Sequence, residues 1–351
     1  MNKEWSEKNR KMQSLIGKEA TFREGIDVLI ELRRDLFQQI TSIVNTYPAQ
    51  AFWQMPFAKA EGYHSKTLAY SMWHVFRIED IVAHTVIMRD SQILFADGFL
   101  AKTGSLIITT GNELRGEDIA AFSKQLDVKA LYEYCLAVKD STDEMVKHLE
   151  YRDLKRKFTD EDRERVAVSR SVSTDEDASW LIDYWCGKDV RGLIQMPFSR
   201  HWIMHIEAMC RIKNKLCQTA RKGVDPIAYC GLSCNHCFLA EWCGSCRTPY
   251  NACSYATCSP GGICQNAACC REKGLDGCYE CEELDGCRKG FYSLDREVNA
   301  IKAMAKFIRK HGKRELRSVL DRLHEEHDFQ KIQEILGYDL EEGLAILENS
   351  R

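Results

Sequence analysis

Thirteen of the chain's seventeen cysteines fall within the 58 residues from Cys230 to Cys287, and no other feature restricts the fold as strongly. They are Cys230, Cys234, Cys237, Cys243, Cys246, Cys253, Cys258, Cys264, Cys269, Cys270, Cys278, Cys281 and Cys287. Pairs spaced C-x2-C occur at 234/237, 243/246 and 278/281. Each such pair sets two thiolates on one turn, half of a tetrahedral zinc site. Thirteen thiols suffice for three four-ligand sites with one left over, and His236 is a further donor; spacing does not tell which cysteines share a metal. Few apolar residues accompany them (Leu232, Phe238, Leu239, Trp242, Ile263, Leu275 and Leu284), so bound Zn2+ is expected to supply much of the folding free energy.

The alternative to metal is disulfide bonding, and that depends on the compartment. The start, MNKEWSEKNRKMQ, has no apolar signal-peptide core, and no apolar run approaches the ~18 residues of a membrane span. The expectation is a cytoplasmic protein without a membrane partner, in which the thiols are reduced and ligate metal. Cys230-x3-Cys234-x2-Cys237 also has the spacing that holds a [4Fe–4S] cluster in radical SAM enzymes. No run of alternating strands and helices follows to build their barrel, so iron–sulfur stays an alternative to zinc. Nucleic acid is disfavoured as a partner: Cys230 to Arg288 carries seven acidic against four basic residues, and phosphate binding needs a basic face.

Upstream the chain reads as helical. Apolar residues recur at helical spacing over Glu19 to Asn45, about Ser65 to Arg89, Val128 to Tyr151 and Gln195 to Cys217, which predicts four long amphipathic helices joined as a bundle. Residues 91–127 are mixed, and Lys155 to Asp177 reads as an exposed charged connection. In the last helix His201 and His205 are four residues apart, hence about 40° apart on one face, and they point toward the apolar side. His74, flanked by Val75, Ile78, Ile81 and Val82, also faces inward, whereas His84 is placed at the boundary, paired with Asp80. Three inward imidazoles are enough for an open metal site. The plainer alternative is three core histidines, each bonded to a neighbour or a carbonyl. Gln-Met-Pro-Phe occurs at 54–57 and again at 195–198, a hint of internal symmetry.

WHVFRIEDIVAHTVI (73–87) followed by HWIMH (201–205) resembles the DinB/YfiT-like superfamily over about residues 18–222. That resemblance implies a four-helix bundle with His74, His201 and His205 holding a divalent metal such as Zn2+, Ni2+ or Fe2+. It also implies activation of a low-molecular-weight thiol for transfer or isomerisation. YCGLSCNHC (229–237), CGSC (243–246) and ACCREKGLDGCYEC (268–281) with Cys287 resemble a bacterial and archaeal Cys-rich domain family of unknown function. Cys270 stands where that family usually has Ala, and Cys253 and Cys258 are additional.

The expected architecture is mainly α: a DinB-like four-helix bundle (1–222), a small, irregular, metal-stabilised Cys-rich domain (223–292) and a helical tail (293–351). The tail has apolar residues such as Val298, Ile301, Met304, Leu316 and Leu320 and is expected to pack on the chain, on a second copy or on another protein. Two functions of different class follow. One is a metal-dependent enzyme, a thiol transferase or hydrolase, whose metal supplies a nucleophile at neutral pH. The other is a non-catalytic metal or thiol sensor or interaction module, since thiolates are the redox-responsive groups.

Overall fold

The computed structural model describes residues 2–240, 243–250, 264–293 and 298–351. Among them the chain is mainly helical and forms no strand; two isolated β-bridges pair Lys157 with Asp189 and Ile227 with Ser233. Among the described residues no helix is long and apolar enough to cross a membrane. The chain divides into two compact units, one of Met1–Val44 and Pro48–Lys213, the other of Asn45–Tyr47 and Asn214–Arg351.

In the first unit α1 (Lys3–Ile16) leads to α2 (Phe22–Thr46), whose buried stripe includes Phe22, Ile26, Leu29, Leu36 and Ile40. The helix stops two residues before Pro48, which disfavours a helical predecessor. Next comes α3 (Leu68–Asp80), capped by the Thr67 hydroxyl accepting from the Tyr70 N–H. It widens into a π-helical stretch, Ile81–Met88, which ends where Arg89 turns left-handed at φ 61°. Short helices α4 (Ile93–Ala96), α5 (Phe99–Thr103) and α6 (Glu117–Gln125) occupy the mixed region before α7 (Val128–His148). Then follow α8 (Asp160–Val168), α9 (Glu176–Cys186), α10 (Val190–Gln195), a π turn at Met196–Arg200, and α11 (His201–Arg221).

Four helices close on one buried network. Arg33 of α2 donates to both carboxylate oxygens of Glu79 on α3, at 2.7 and 2.9 Å, and to Asp143 of α7. Trp202 of α11 donates its indole N–H to Glu79 at 2.7 Å and lies under the Arg33 guanidinium. Burial opposes the Arg33 charge, but Glu79 and Asp143 outweigh it and raise its pKa.

Two expectations are corrected here. His84 is not a boundary residue, because every residue of α3 is buried and His84 is only 3% exposed. Its Nδ1 bonds Asp90 at 2.7 Å rather than Asp80. Asp80 instead pairs with Arg77 and accepts from the Tyr134 hydroxyl and the N–H groups of Ile93 and Leu94. The elements of residues 91–127 cover the face that helical periodicity would assign to solvent. Likewise Lys155 to Asp177 is not simply exposed: it contains α8, whose buried Asp162 accepts from Arg89 and Arg165. The two Gln-Met-Pro-Phe segments differ, the first lying in an irregular turn and the second in the π turn before α11.

In the second unit α12 (Gln265–Glu272) belongs to the Cys-rich stretch, and α13 (Val298–His311), α14 (Lys313–Glu326), α15 (Phe329–Gly337) and α16 (Leu340–Asn349) form the tail. Their apolar stripes meet one another and the Cys-rich residues in a single core. Ile301, Met304, Phe307, Leu320 and Leu336 share it with Ile227, Cys230, Tyr279, Leu284 and Tyr292. Cys-rich loops and tail therefore form one packed body, with more apolar support than the Cys-rich segment contains by itself.

Candidate metal centres

The first centre begins with a row of side chains on α3. Tyr70, Trp73, His74 and Arg77 sit at i, i+3, i+4 and i+7, one face of a helix. Their polar tips meet the consecutive carbonyls of the 108–111 segment. The Tyr70 hydroxyl donates to Gly111 O at 3.0 Å, the Trp73 indole to Thr109 O at 3.0 Å, and Arg77 to Ile108 O at 2.7 Å. His74 Nδ1 lies 3.0 Å from Thr110 O. A carbonyl can only accept, so the proton of neutral His74 is on Nδ1 and its Nε2 carries the lone pair.

That Nε2 faces α11, where it lies 3.3 Å from His201 Nε2. His205 is one turn further on, its ring centre 4.8 Å from that of His74 and 4.5 Å from that of His201. One ligand nitrogen from each of the three lies within 4.8 Å of the others. All three rings are buried. His201 Nδ1 and both nitrogens of His205 have no hydrogen-bond partner among the described residues. An orphaned polar atom in an apolar interior is costly. A shared cation removes that cost, and the residues fit one. Bonds of about 2.0–2.1 Å to a tetrahedral zinc place ligand nitrogens about 3.3–3.4 Å apart, which matches the His74–His201 pair.

Electrostatics agree with ligand chemistry, since a metal needs neutral imidazole. Burial lowers the His74 pKa to about 4, against the opposing bond to Thr110, and the nearby Lys66 charge lowers it further. Burial also holds His201 and His205 well below the usual histidine range, with the neighbouring imidazoles adding to the effect. The surroundings are aromatic. Tyr70 stacks nearly parallel on His74 (11°, ring centres 5.6 Å apart), and half-exposed Tyr63 meets His205 edge-on. Lys66 holds its ammonium 5.3 Å from the Tyr70 ring centre.

Periodicity pointed to the three histidines but not to Thr110, Tyr70 or Lys66. The repeating polar-tipped side chains at 70, 73, 74 and 77 were a signal that this face of α3 needed acceptors. Among the described residues His84 and His236 stand apart from the trio. His84 Nε2 lies 3.2 Å from the Ser141 hydroxyl, and His236 bridges Ser233 at 2.7 Å and Asp321 at 2.8 Å. With both its nitrogens engaged, His236 is a bracing residue and not the additional donor that its position among the cysteines suggested.

In the second unit the thiols are grouped more loosely. Cys230, Cys234, Cys237, Cys243, Cys246 and Cys264 line one small cavity. Cys269, Cys270, Cys278, Cys281 and Cys287 line another. Cys253 and Cys258 lie outside the described residues. Burial raises most of the described thiols, with Cys230 well above its usual range, Cys234 up to about 12 and Cys246 up to about 11. Cys278 runs the other way: its hydrogen bond with the Cys270 thiol, 3.6 Å away, lowers it against burial.

In comparisons with protein-family models, curated proteins and solved structures, nothing matches this chain.

Proposed function

We propose that the first unit is a DinB/YfiT-like four-helix bundle that holds a divalent cation, Zn2+, Ni2+ or Fe2+, on His74, His201 and His205. The observation that carries this reading is three orphaned imidazole nitrogens, buried among rings that already stand at ligand spacing. A cation bound there supplies Lewis acidity, which brings proton loss from a water or a thiol down to neutral pH.

The chain's own residues do the rest. The Thr110 carbonyl fixes the His74 tautomer and orients its Nε2. Tyr70 shields the back of that ring, and the Arg33–Glu79–Asp143–Trp202 network holds α2, α3, α7 and α11 in register around the site. On this reading the protein is a metal-dependent transferase that uses a low-molecular-weight thiol, or a hydrolase. The Cys-rich region carries Zn2+ bound by thiolates, with [4Fe–4S] as the alternative filling.

The test is elemental analysis of anaerobically purified full-length protein beside its His201→Ala variant, with turnover of an electrophile by a small thiol. Loss of one equivalent of metal together with the turnover supports the proposal. Unchanged metal content in the variant would end it.

The non-catalytic sensor reading draws on a different observation, that none of the three imidazoles is more than 7% exposed. Full metal occupancy without turnover of any thiol–electrophile pair would favour it.

A further inference from the structure

Counting thirteen thiols in fours suggests three metal sites; the placement of the described thiols suggests a different number. We infer that the described thiols of the Cys-rich region form two separate thiolate centres, each binding one soft divalent cation of the zinc class. Cys270, Cys278, Cys281, Cys269 and Cys287 supply one, and Cys230, Cys234, Cys237, Cys243, Cys246 and Cys264 supply the other. The inference rests on the reading that this region binds metal, and adds which thiols share it.

Three observations carry it. The first is size: the cavities within the two groups measure about 20 and about 40 Å³. About 10–15 Å³ holds a single water, so each has room for an ion and little more. The larger cavity is almost wholly apolar apart from its sulfurs, surroundings in which a cation gains most from thiolate ligands.

The second is spacing. Zinc–sulfur bonds of about 2.3 Å put the sulfurs of a tetrahedral site about 3.8 Å apart, and Cys270 Sγ and Cys278 Sγ are 3.6 Å apart. The pair spans α12 and the tight turn Cys278–Glu280, so the C-x2-C partner Cys281 follows on the same turn.

The third is the ring of donors around the smaller cavity. Lys273 Nζ points at Cys281 Sγ and Lys289 Nζ at Cys269 Sγ, each at 3.9 Å, while Asn266 Nδ2 points at Cys278 Sγ at 3.8 Å. Two ammonium groups and an amide aimed at sulfurs suit anionic thiolates, and they offset the charge that four thiolates leave on a divalent cation. In the other group the Ser245 N–H donates to Cys243 Sγ at 3.4 Å. The two cavities share no cysteine, although their walls touch: the Tyr292 hydroxyl donates to Cys230 O at 2.6 Å, and the Cys278 N–H donates to Tyr229 O at 2.7 Å.

The experiment uses the full-length, reduced protein carrying His205→Ala, so that the imidazole centre does not contribute. It is loaded with Zn2+, and zinc is counted by native mass spectrometry. The expected result is two zinc per chain. Cys278→Ser should lower this to one, Cys246→Ser should also lower it to one, and the double variant to none. Loss of both ions from either single variant, or a count of one in the parent, overturns the partition while leaving metal binding in place. A count of zero in the parent overturns metal binding itself. Because a cysteine variant can unfold, zinc X-ray absorption on the parent provides an independent reading. All-sulfur coordination without zinc–zinc scattering supports two separate centres, and a short zinc–zinc vector shows one merged cluster instead.

Discussion

Arg33 and Glu79 form a two-pronged ion pair between α2 and α3, with both side chains wholly excluded from solvent. Removing one member of such a pair strands a buried charge, which costs about 3–5 kcal/mol. Arg33→Met should destabilise the first unit by that amount, read as a lower urea midpoint with an unchanged slope. A loss below about 1 kcal/mol would show that the network is relieved by some other route.

Acidification should unfold the metal-free protein through its histidines. Folding holds His74 near 4, whereas an exposed histidine titrates near 6.5. The unfolded chain therefore binds more protons between these values, and stability rises with pH across that window. The contribution is complete above about pH 6.5 and is lost as the pH falls toward 4. Each depressed imidazole adds a slope of up to about 1.4 kcal/mol per pH unit. Chemical denaturation of chelator-treated protein in steps from pH 7 to pH 4.5 measures it, and a flat profile would contradict the burial of the trio.

His84 and His201 should behave differently although both are buried histidines. His84→Ala removes a ring whose nitrogens already face Asp90 and Ser141. It should lower stability by a few kcal/mol at most and leave the first unit's metal content at the parent value. His201→Ala should abolish metal binding there and alter stability less in the absence of metal. Equal metal loss in both would move the site away from the trio.

Gly231 sits at φ +96°, and a Cβ there would lie 2.9 Å from Cβ of Ala305 on α13. Gly231→Ala should cost more than about 1 kcal/mol, through left-handed strain and the clash together. Thermal melts of the two proteins decide the matter; an unchanged midpoint would mean that the loop carrying Cys230 shifts off α13 without cost.

Much of this arrangement was legible in the chain. The 3.6-residue period located α2, α7 and α11 and turned His74, His201 and His205 inward, because apolar burial is written locally. The buried charges were not legible. Arg33, Arg77, Glu79, Asp80 and Asp143 are residue types that ordinarily face solvent, and Arg33 meets its partners 46 and 110 positions away. For the same reason His84 was misplaced: the segment covering that side of α3 has no period of its own. In the second unit the tail's apolar stripes were visible, but not the fact that they close over the cysteine loops.

That shared core separates two properties that a zinc finger combines. In a finger, withdrawing the metal dissolves the whole domain. Here Met304, Phe307, Leu320 and Leu336 pack into the same core as the cysteines, so apolar burial supports that fold beside any metal. A chelator should thus loosen the loops and leave the four tail helices standing. On the proposed reading the cysteines would load, unload or oxidise on a scaffold that persists, as removable fittings on a fixed frame.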